Sequence, residues 1–285
     1  MHKIIDLGTL DLMTAQHFLQ CAVAPRPIAL ASTVDVEDHV NLSPFSFFNL
    51  FSTNPPILIF APNRRLRDGS NKHTFFNAST THEVVINIVD YAMAEQMSLS
   101  SCEYPDGVDE FVKAGFTPIS SQKVKPPRVG ESKVSFECKV NQIVPLGDQG
   151  GAGNLIICEV LLMHVCDSIL GENGKIDPLK TDWIARSGEH WYVRANVDSM
   201  FTMPKPSVQL GVGVDQIPDS IKSLQFFTGN ELGRLGNIEQ IPNESEIHTF
   251  LVQHSEDDLL MLARTLLAEN KVHEAWMAVL AFCEL

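Results

Sequence analysis

Segments with the composition of β-strands follow one another through the first 165 residues, with few helical segments between them. Ile28–Val34, Ile57–Ala61 and Val84–Val89 are short apolar runs, and apolar and polar residues alternate from Val134 to Ile143. Such alternation is typical of a strand with one buried face. Parallel strands need long, usually helical, crossovers. The spacing therefore predicts a mainly β fold, an antiparallel barrel or sandwich with peripheral helices, rather than a doubly wound parallel sheet.

The pattern changes after residue 206, where strand-like runs give way to helical ones. Leu259–Leu267 and Val272–Phe282 are apolar segments of helical length, and Ser255–Asp258 carries residue types that begin helices. From residue 207 onward there are twelve acidic and four basic residues, a net charge of −8. We therefore predict two domains, a β-rich one over 1–206 and an acidic, mostly helical C-terminal extension over 207–285.

Composition limits the functions that the chain can have. A formal net charge of −14 argues against a broad surface for nucleic acid or anionic lipid. No apolar run is long enough to cross a bilayer, and Met1–Leu7 lacks the pattern of a signal peptide. The six cysteines form no CxxC pair, which argues against a zinc or thioredoxin-like motif and favours reduced thiols. We expect a cytoplasmic protein that has no metal site and contacts neither nucleic acid nor membrane.

The segment Asn41–Asn49, which reads Asn-Leu-Ser-Pro-Phe-Ser-Phe-Phe-Asn, mixes three aromatic rings with hydroxyls and amides. A turn over 35–39 joins it to the preceding strand, so it is predicted to be the second strand of a hairpin. A planar ligand with polar edges suits such a surface, because its faces stack on rings and its edges need hydrogen bonds. A core strand with an aromatic cluster has the same composition. Taken alone, the segment leaves both interpretations open.

The most basic segment of the chain is Asn63–Thr74, in which four of the 21 basic residues fall within nine positions. Asp68, Ser70 and Asn71 are helix N-cap types, and Thr74–Phe76 can continue as a helix. A helix start with free amides, hydroxyls and cations is a suitable place for a phosphate. The alternative is a solvated basic loop. Gly147–Gly153 lies between two strands rather than before a helix, so it predicts a hairpin turn and not a phosphate loop.

Four groups of residues, in a fixed order, carry a resemblance to a known family. They are Pro25–Ala29 with Ser32 and Thr33, Asn41–Asn49, Asn63–Thr74 and Arg186–Arg194. Together, and over roughly Ala22–Pro206, they resemble the flavin reductase-like family of FMN-binding split β-barrel proteins. The resemblance implies an antiparallel split barrel, a homodimer, and FMN in a groove near the subunit interface. It also implies that NADH or NADPH reduces the flavin without a Rossmann domain.

The resemblance also implies a role for individual residues. Ser32 and Thr33 would contact the phosphate or the ribityl chain, the stretch from Ser43 to Asn49 would line the isoalloxazine, and Arg64, Lys72 and Thr74 would hold the phosphate. Arg186 and Tyr192 would lie near the flavin or the nicotinamide. The full set of implied cofactor-binding residues is Ser32, Thr33, Ser43, Ser46, Phe47, Phe48, Asn49, Asn63, Arg64, Lys72, Thr74, Arg186 and Tyr192.

The function that we expect is an NAD(P)H-dependent flavin reductase. Hydride transfer to flavin needs orientation and a place for developing negative charge, not a protein nucleophile. In keeping with this, the sequence offers no Ser-His-Asp arrangement and no HExxH, and no catalytic residue is assigned. The electrons would go to a small-molecule acceptor or to a flavin-using partner enzyme. Two alternatives remain, an FMN-binding carrier, storage or sensor protein without turnover, and a split barrel that lacks flavin and acts as an interaction module.

Overall fold

A computed structural model of the protein describes residues 1–105, 107–203, 211–254 and 258–284. The contacts divide the chain into two compact units, Met1–Phe201 and Thr202–Leu285. The domain boundary predicted between residues 206 and 207 falls in the segment 204–210, which lies outside the described residues. Each unit has its own apolar core.

The described part of the first unit consists of short helices and antiparallel strands. Its strands are β1 (Arg26–Pro27), β2 (Ala29–Val34), β3 (Val40–Phe45), β4 (Phe48–Thr53), β5 (Pro56–Phe60), β6 (Glu83–Ile88), β7 (Pro118–Ile119), β8 (Arg128–Val129), β9 (Val134–Pro145), β10 (Asn154–Val165), β11 (Trp183–Arg186) and β12 (Tyr192–Ala195). Its α-helices are α1 (Leu12–Ala22), α2 (His73–Thr81), α3 (Ala94–Leu99) and α4 (Glu110–Ala114), and short 3-10 helices lie at Leu7–Thr9, Tyr91–Met93, Asp167–Ile169 and Pro178–Lys180.

Seven strands form one sheet in the order β3-β2-β6-β9-β10-β5-β4, with every neighbouring pair antiparallel. β3 and β4 lie at opposite edges of this sheet, yet only Ser46 and Phe47 separate them in the chain. The sheet must therefore curl until its two edges meet. The prediction that Asn41–Asn49 is a single strand is wrong, because the chain bends at 46–47 and passes from one edge to the other.

One buried cluster fills the interior of this curled sheet and takes a side chain from each of its seven strands. The contributors include Ala29, Phe45, Phe48, Phe60, Ile86, Cys138 and Ile156. A cluster shared by all seven strands requires closure around a single core, which is the geometry of a barrel and not of two stacked sheets. The strand spacing left a barrel and a sandwich open, and the antiparallel barrel that the family resemblance implied is confirmed. A three-stranded sheet, β1-β11-β12, and a two-stranded one, β7-β8, accompany it.

Strand β2 shows how the sequence fits this barrel. Ala29 and Ala31 face the interior cluster, whereas Leu30 faces a second cluster that includes Met97 on α3 and Phe111 on α4. Successive side chains of a strand point to opposite faces, so a strand with helices outside and a barrel core inside must be apolar on both. The small alanines leave room for the rings opposite them.

Two local predictions had different outcomes. The Gly147–Gly153 segment is the turn of the β9–β10 hairpin, as expected. The start of α2 differs from its prediction, because the N-cap is Lys72 and no side chain caps the helix. The Asp68 carboxylate instead accepts hydrogen bonds from the backbone and hydroxyl of Ser70, at 2.9 and 2.5 Å, which lowers the pKa of Asp68 to about 2.

The described part of the second unit is helical, as predicted. It contains a 3-10 helix (Val214–Gln216) and the helices α5 (Asp219–Ser223), α6 (Gly229–Leu235), α7 (Glu244–Gln253), α8 (Leu259–Ala268) and α9 (Val272–Glu284), packed around the fully buried Trp276. Of the residues predicted to begin α8, positions 255–257 lie outside the described residues, and Asp258 is the N-cap. Among the helices that the structure describes, none combines the length and apolar composition needed to cross a membrane.

Candidate functional site

A buried network of polar side chains joins α2 to the strands β2 and β3. The amide nitrogen of Asn41 donates to the Thr74 hydroxyl at 2.9 Å, and that of Asn77 donates to the Thr33 hydroxyl at 3.2 Å. All four residues are buried. The network brings together Thr33 and Thr74, two of the residues predicted to bind a ligand. Each hydroxyl accepts one bond here and keeps its own hydrogen available to donate.

The neighbouring predicted residues, Ser32 and Ser43, lie on different faces of this part of the sheet. Ser43 shares the face of Asn41, which α2 covers, because side chains two positions apart point the same way. Ser32 shares the opposite face with Leu30, and its fully buried hydroxyl has no hydrogen-bond partner among the described residues. The hydroxyls of Ser32 and Thr33 therefore point to opposite faces of β2.

The basic segment divides into neutralised and unneutralised cations. Arg65 and Arg67 both pair with Glu103, at 3.1 and 2.9 Å. Arg64 donates to the carbonyl of Gly69 at 3.0 Å, and its buried Nε has no partner in the described chain. Neither Arg64 nor Lys72 has a carboxylate oxygen within 4.0 Å in the described part of the protein. Two of the four positive charges are thus left without an acidic partner.

Lys72 occupies a position where a positive charge is unfavourable. Its Nζ lies 5.2 Å from the centroid of the Phe45 ring, and burial, followed by the nearby charge of Arg65, lowers the pKa of Lys72. The residue also begins α2, whose N-terminal amides carry partial positive charge and have no side-chain cap. A cation at an uncapped helix start is the kind of feature to which an anion such as a phosphate can bind.

The backbone of this segment is anchored to the β9–β10 turn. Asn63 donates from its side-chain amide to the carbonyl of Gly151 at 3.1 Å, and the backbone nitrogen of Arg64 donates to the carbonyl of Ala152 at 2.9 Å. A Cβ added to Gly150 would lie 2.8 Å from the carbonyl oxygen of Leu66, so the turn needs glycine there. Asn63, another predicted site residue, thus positions Arg64, while its own buried Oδ1 has no described partner.

The rest of the aromatic stretch is not a uniform surface. Phe48 packs against the barrel core. This is the role that the alternative interpretation of the stretch, a core strand with an aromatic cluster, gave to its rings. Asn49 is exposed, and its Oδ1 accepts a hydrogen bond from the backbone of Leu50 at 2.8 Å. Ser46 and Phe47 form the bend, where the Phe47 ring is 37% exposed. Phe47 is therefore the ring of this bend that a ligand can reach.

The last two predicted residues, Arg186 and Tyr192, contact each other. Nη1 of Arg186 donates to the Tyr192 hydroxyl at 2.6 Å, and the guanidinium carbon lies 4.9 Å from the centre of the ring. Pairing of β1 with β11 places Arg26 opposite Arg186, and the guanidinium carbon of Arg26 lies 5.7 Å from the centroid of Phe47. No role for Arg26 was predicted from the sequence, because residues that pair across strands so far apart in the chain show no local signal.

The described residues contain no group of three or more His, Cys, Asp or Glu side chains that could hold a metal ion. All six cysteines are free thiols, and burial raises the pKa values of Cys138 and Cys158 inside the barrel. The polar groups of the predicted site in the first unit are cations, hydroxyls and amides beside exposed and half-buried rings.

Comparison with known proteins identifies the family. A family model described as a flavin reductase like domain matches residues 22–180. A protein of Aquifex aeolicus is 42% identical over 173 residues, which cover 61% of this chain and 86% of that protein. The protein YwrF of Bacillus subtilis is 31% identical over 209 residues, which cover 72% of this chain and 99% of its own. Both relatives are named only as uncharacterized proteins.

Solved structures share the same fold. Component B of a nitrilotriacetate monooxygenase from Bacillus cereus is 26% identical, with a TM-score of 0.66 over 71% of this chain and 99% of that chain. The 2-nitrobenzoate 2-nitroreductase NbaA of Pseudomonas fluorescens is 25% identical, with a TM-score of 0.62 over 72% and 100%. A protein with a split barrel domain from Shewanella frigidimarina is 26% identical, with a TM-score of 0.60 over 70% of this chain and 96% of that chain. The chain therefore belongs to the flavin reductase-like family, and its first unit is a split barrel of that family.

Proposed function

We propose that the protein is an FMN-binding oxidoreductase that takes hydride from NADH or NADPH. The observation that carries the proposal is Lys72, a cation without a carboxylate oxygen within 4.0 Å in the described chain, at the uncapped start of α2. Cations without counter-charges repel one another and are costly when half-buried. A phosphate bound there would satisfy this charge and the free amides of the helix, and Arg64, from the same basic segment, is a second candidate to contact it. The hydroxyl of Thr74, within the first turn of α2, supplies a further donor.

The residues along Asn41–Asn49 suit the remainder of an FMN molecule. Phe47 offers an exposed ring on which the flavin could stack. A bound flavin would supply the redox chemistry, accepting a hydride from the reduced nicotinamide and passing two electrons to an acceptor. The protein would then bind and orient the reactants and stabilise developing negative charge. This division of tasks is consistent with a site that has no assigned nucleophile.

We further propose that the electrons leave to a small-molecule acceptor or to a flavin-using partner enzyme. The similarity to a 2-nitrobenzoate nitroreductase supports a small-molecule acceptor. The similarity to component B of a monooxygenase supports a partner enzyme. Neither outlet requires a membrane or nucleic acid, and we place the protein in the cytoplasm, where its free thiols would stay reduced.

A homodimer is part of the same proposal. None of the residues of helix α1 is buried by the part of the chain that the structure describes, and the helix exposes Leu12, Met13 and Leu19. Strand β4, an edge of the seven-stranded sheet, exposes Leu50 and Phe51. Apolar edges of this kind are normally covered in native proteins. A second copy of the chain would cover them.

The proposal is tested with the purified full-length chain. Titration with FMN, followed by flavin absorbance and fluorescence, should give saturable binding. Anaerobic addition of NADH or NADPH should then bleach the oxidised flavin band, and an added quinone should restore it. Failure to bind FMN would refute the proposal. Binding without bleaching by either dinucleotide would refute the reductase activity and favour the carrier, storage or sensor alternative.

A further inference from the structure

Two arginines of the first unit stand opposite each other without an acidic partner. Strands β1 and β11 are antiparallel and place Arg26 directly opposite Arg186. Directly opposite residues of a sheet project to the same face, where like charges repel. Neither guanidinium has a carboxylate oxygen within 4.0 Å among the residues that the structure describes. The pair therefore concentrates positive charge on one small surface.

Neutral groups hold both side chains in place. Nη1 of Arg26 donates to the carbonyls of Gln20 and Val23 at the end of α1. The guanidinium of Arg186 donates to the Tyr192 hydroxyl at 2.6 Å and to the carbonyl of Glu189. These bonds orient the two guanidinium groups but leave their charges uncompensated, apart from the partial negative charge of a helix end.

The nearest acidic residue on this hairpin does not neutralise the pair. Glu189 gives Arg186 only its backbone carbonyl, and its carboxylate turns instead to Nδ1 of His17, at 3.2 Å. The next cation along β12, Arg194, shows the contrast, because Asp182 binds it with both carboxylate oxygens at 2.7 and 2.8 Å. The three-stranded sheet thus holds one arginine, Arg194, that has a carboxylate partner. It also holds two arginines, Arg26 and Arg186, that face each other without one in the described chain.

Burial makes this arrangement costly for Arg26. Its side chain is only 7% exposed, and its Nε is buried without a hydrogen-bond partner in the described chain. Burial and the charge of Arg186 both lower the pKa of Arg26, which shows that its positive form is disfavoured. A bound anion would remove both penalties, since it would accept from the free Nε and offset the two charges.

Through Arg26, the pair contacts a different ring of the aromatic stretch from the one that Lys72 of the basic segment contacts. Arg26 contacts Phe47, at the bend of the aromatic stretch, whereas Lys72 lies over Phe45, on the preceding strand β3. Trp191 and Tyr192, 73% and 38% exposed, border the arginines on the β11–β12 hairpin. Two cationic sites on one aromatic stretch can hold two different anionic groups.

We propose that Arg26 and Arg186 bind the anionic group of the molecule that exchanges electrons with the flavin. The group is a phosphate of the dinucleotide, or a carboxylate or sulfonate of the acceptor. Each of these is an oxyanion whose oxygens can accept two hydrogen bonds from a guanidinium group. The inference rests on the proposed function, since it assumes that Arg64 and Lys72 hold the phosphate of FMN.

The test compares charged and neutral reactants in the FMN-loaded, full-length protein. On the donor side, NADH is compared with 1-benzyl-1,4-dihydronicotinamide, which has no phosphate. On the acceptor side, 1,4-naphthoquinone is compared with its 2-sulfonate. Arg186→Met should lower kcat/KM about tenfold or more for the anionic member of one pair, and less than about twofold for its neutral analogue. If the two donors respond differently, the anion is a phosphate of the dinucleotide. If the two acceptors respond differently, the anion belongs to the acceptor. Equal changes for charged and neutral members of both pairs would overturn the proposal.

A direct binding measurement separates this inference from the proposed function. Inorganic pyrophosphate and benzenesulfonate are titrated calorimetrically into the protein with and without FMN. Arg186→Met should weaken the binding of one of them about tenfold at unchanged FMN affinity, and Arg26→Lys, which keeps a donor for the end of α1, should weaken it too. Lys175→Met, which removes an exposed charge elsewhere, should have no effect. Unchanged anion binding, or loss of FMN affinity alone, would overturn the inference, whereas a protein that binds no FMN at all would refute only the proposed function.

Discussion

The Nζ atom of Lys72 lies 5.2 Å from the centroid of the Phe45 ring, at the point where α2 begins above the barrel. One residue comes from the basic segment and the other from the aromatic stretch, and the contact joins the two features that were separate in the sequence. It gives the aromatic stretch a cation at the α2 end, and Arg26 gives it another at the bend. This pairing of rings with unneutralised charge is the basis for the first prediction.

Lys72→Ala should weaken FMN binding by about 1.5–3 kcal/mol, because it removes one charge-assisted hydrogen bond to the phosphate. Dissociation constants from fluorescence titration of both proteins measure this loss. Lys72→Met, which keeps most of the apolar stem, should show a similar loss. Arg67→Ala is the control, because Arg67 is exposed and already pairs with Glu103. An unchanged affinity in both Lys72 variants would remove this residue from the site.

Glu137 should make the stability of the barrel depend on pH. Its fully buried carboxylate accepts bonds from His164 and from the backbone of Gln122 and Lys123, at 2.6–3.0 Å. Burial alone would raise the pKa of Glu137, but these bonds outweigh it, so the pKa lies below its ordinary value. A carboxyl with a lowered folded pKa stabilises the protein fully above its unfolded pKa, about 4.3. The stabilisation is lost as the pH falls through the folded pKa.

Urea denaturation at several pH values measures the contribution of Glu137. Glu137→Gln should lower the free energy of unfolding by about 3 kcal/mol at pH 7, because neutral glutamine cannot accept all of these bonds. The difference from the unsubstituted protein should shrink as the pH falls from about 5 to 3, since the native carboxylate then takes up a proton as well. The exposed Glu172→Gln serves as the control. A difference that stays constant with pH would show that the carboxylate charge contributes nothing.

Trp276→Phe should destabilise the helical unit. Trp276 is fully buried, and its indole nitrogen donates to the backbone carbonyl of Leu235 at 2.6 Å. Phenylalanine leaves this carbonyl unpaired and a small cavity, at a cost of about 2 kcal/mol. Urea denaturation followed by far-UV circular dichroism measures the change. The same substitution at Trp191, which is 73% exposed, should alter stability by less than about 0.5 kcal/mol. Equal effects at both positions would contradict the packing described here.

The proposed homodimer can be tested at β4. Phe51 is 64% exposed on this edge strand, and Phe51→Glu would place a charge in an apolar interface. Sedimentation equilibrium should show a dimer for the unsubstituted chain and a shift toward monomer for the variant. Val112→Glu, at a 76% exposed position on α4, should leave the dimer intact. A monomeric unsubstituted chain, or a variant that dimerises equally well, would refute the role of β4.

Much of the architecture follows from local sequence pattern. The apolar run at β5 and the alternation in β9 predict strands, because residues with a period of two suit a sheet with a buried face. Gly115 was sufficient to end α4, since its φ of +69° is a conformation that residues other than glycine seldom adopt. The basic segment could also be recognised from the sequence, because its positive charges contrast with an otherwise acidic chain. The helical character of the C-terminal extension followed from its apolar spacing.

Other features depend on contacts between residues that are distant in sequence. Only the closed sheet shows that Ser46 and Phe47 form a bend between its two edge strands. One continuous strand and two strands joined by a two-residue bend can have the same local composition. Only the fold shows that Glu103 pairs with Arg65 and Arg67 but not with Arg64. The sequence determined by itself that this chain forms antiparallel strands, as a barrel or a sandwich, with a basic segment and a helical extension, because hydrophobic period and charge density are local properties. The tertiary structure alone decided which cations remain unpaired and that Arg26 faces Arg186, because neutralisation and pairing are set by distances in space and not along the chain.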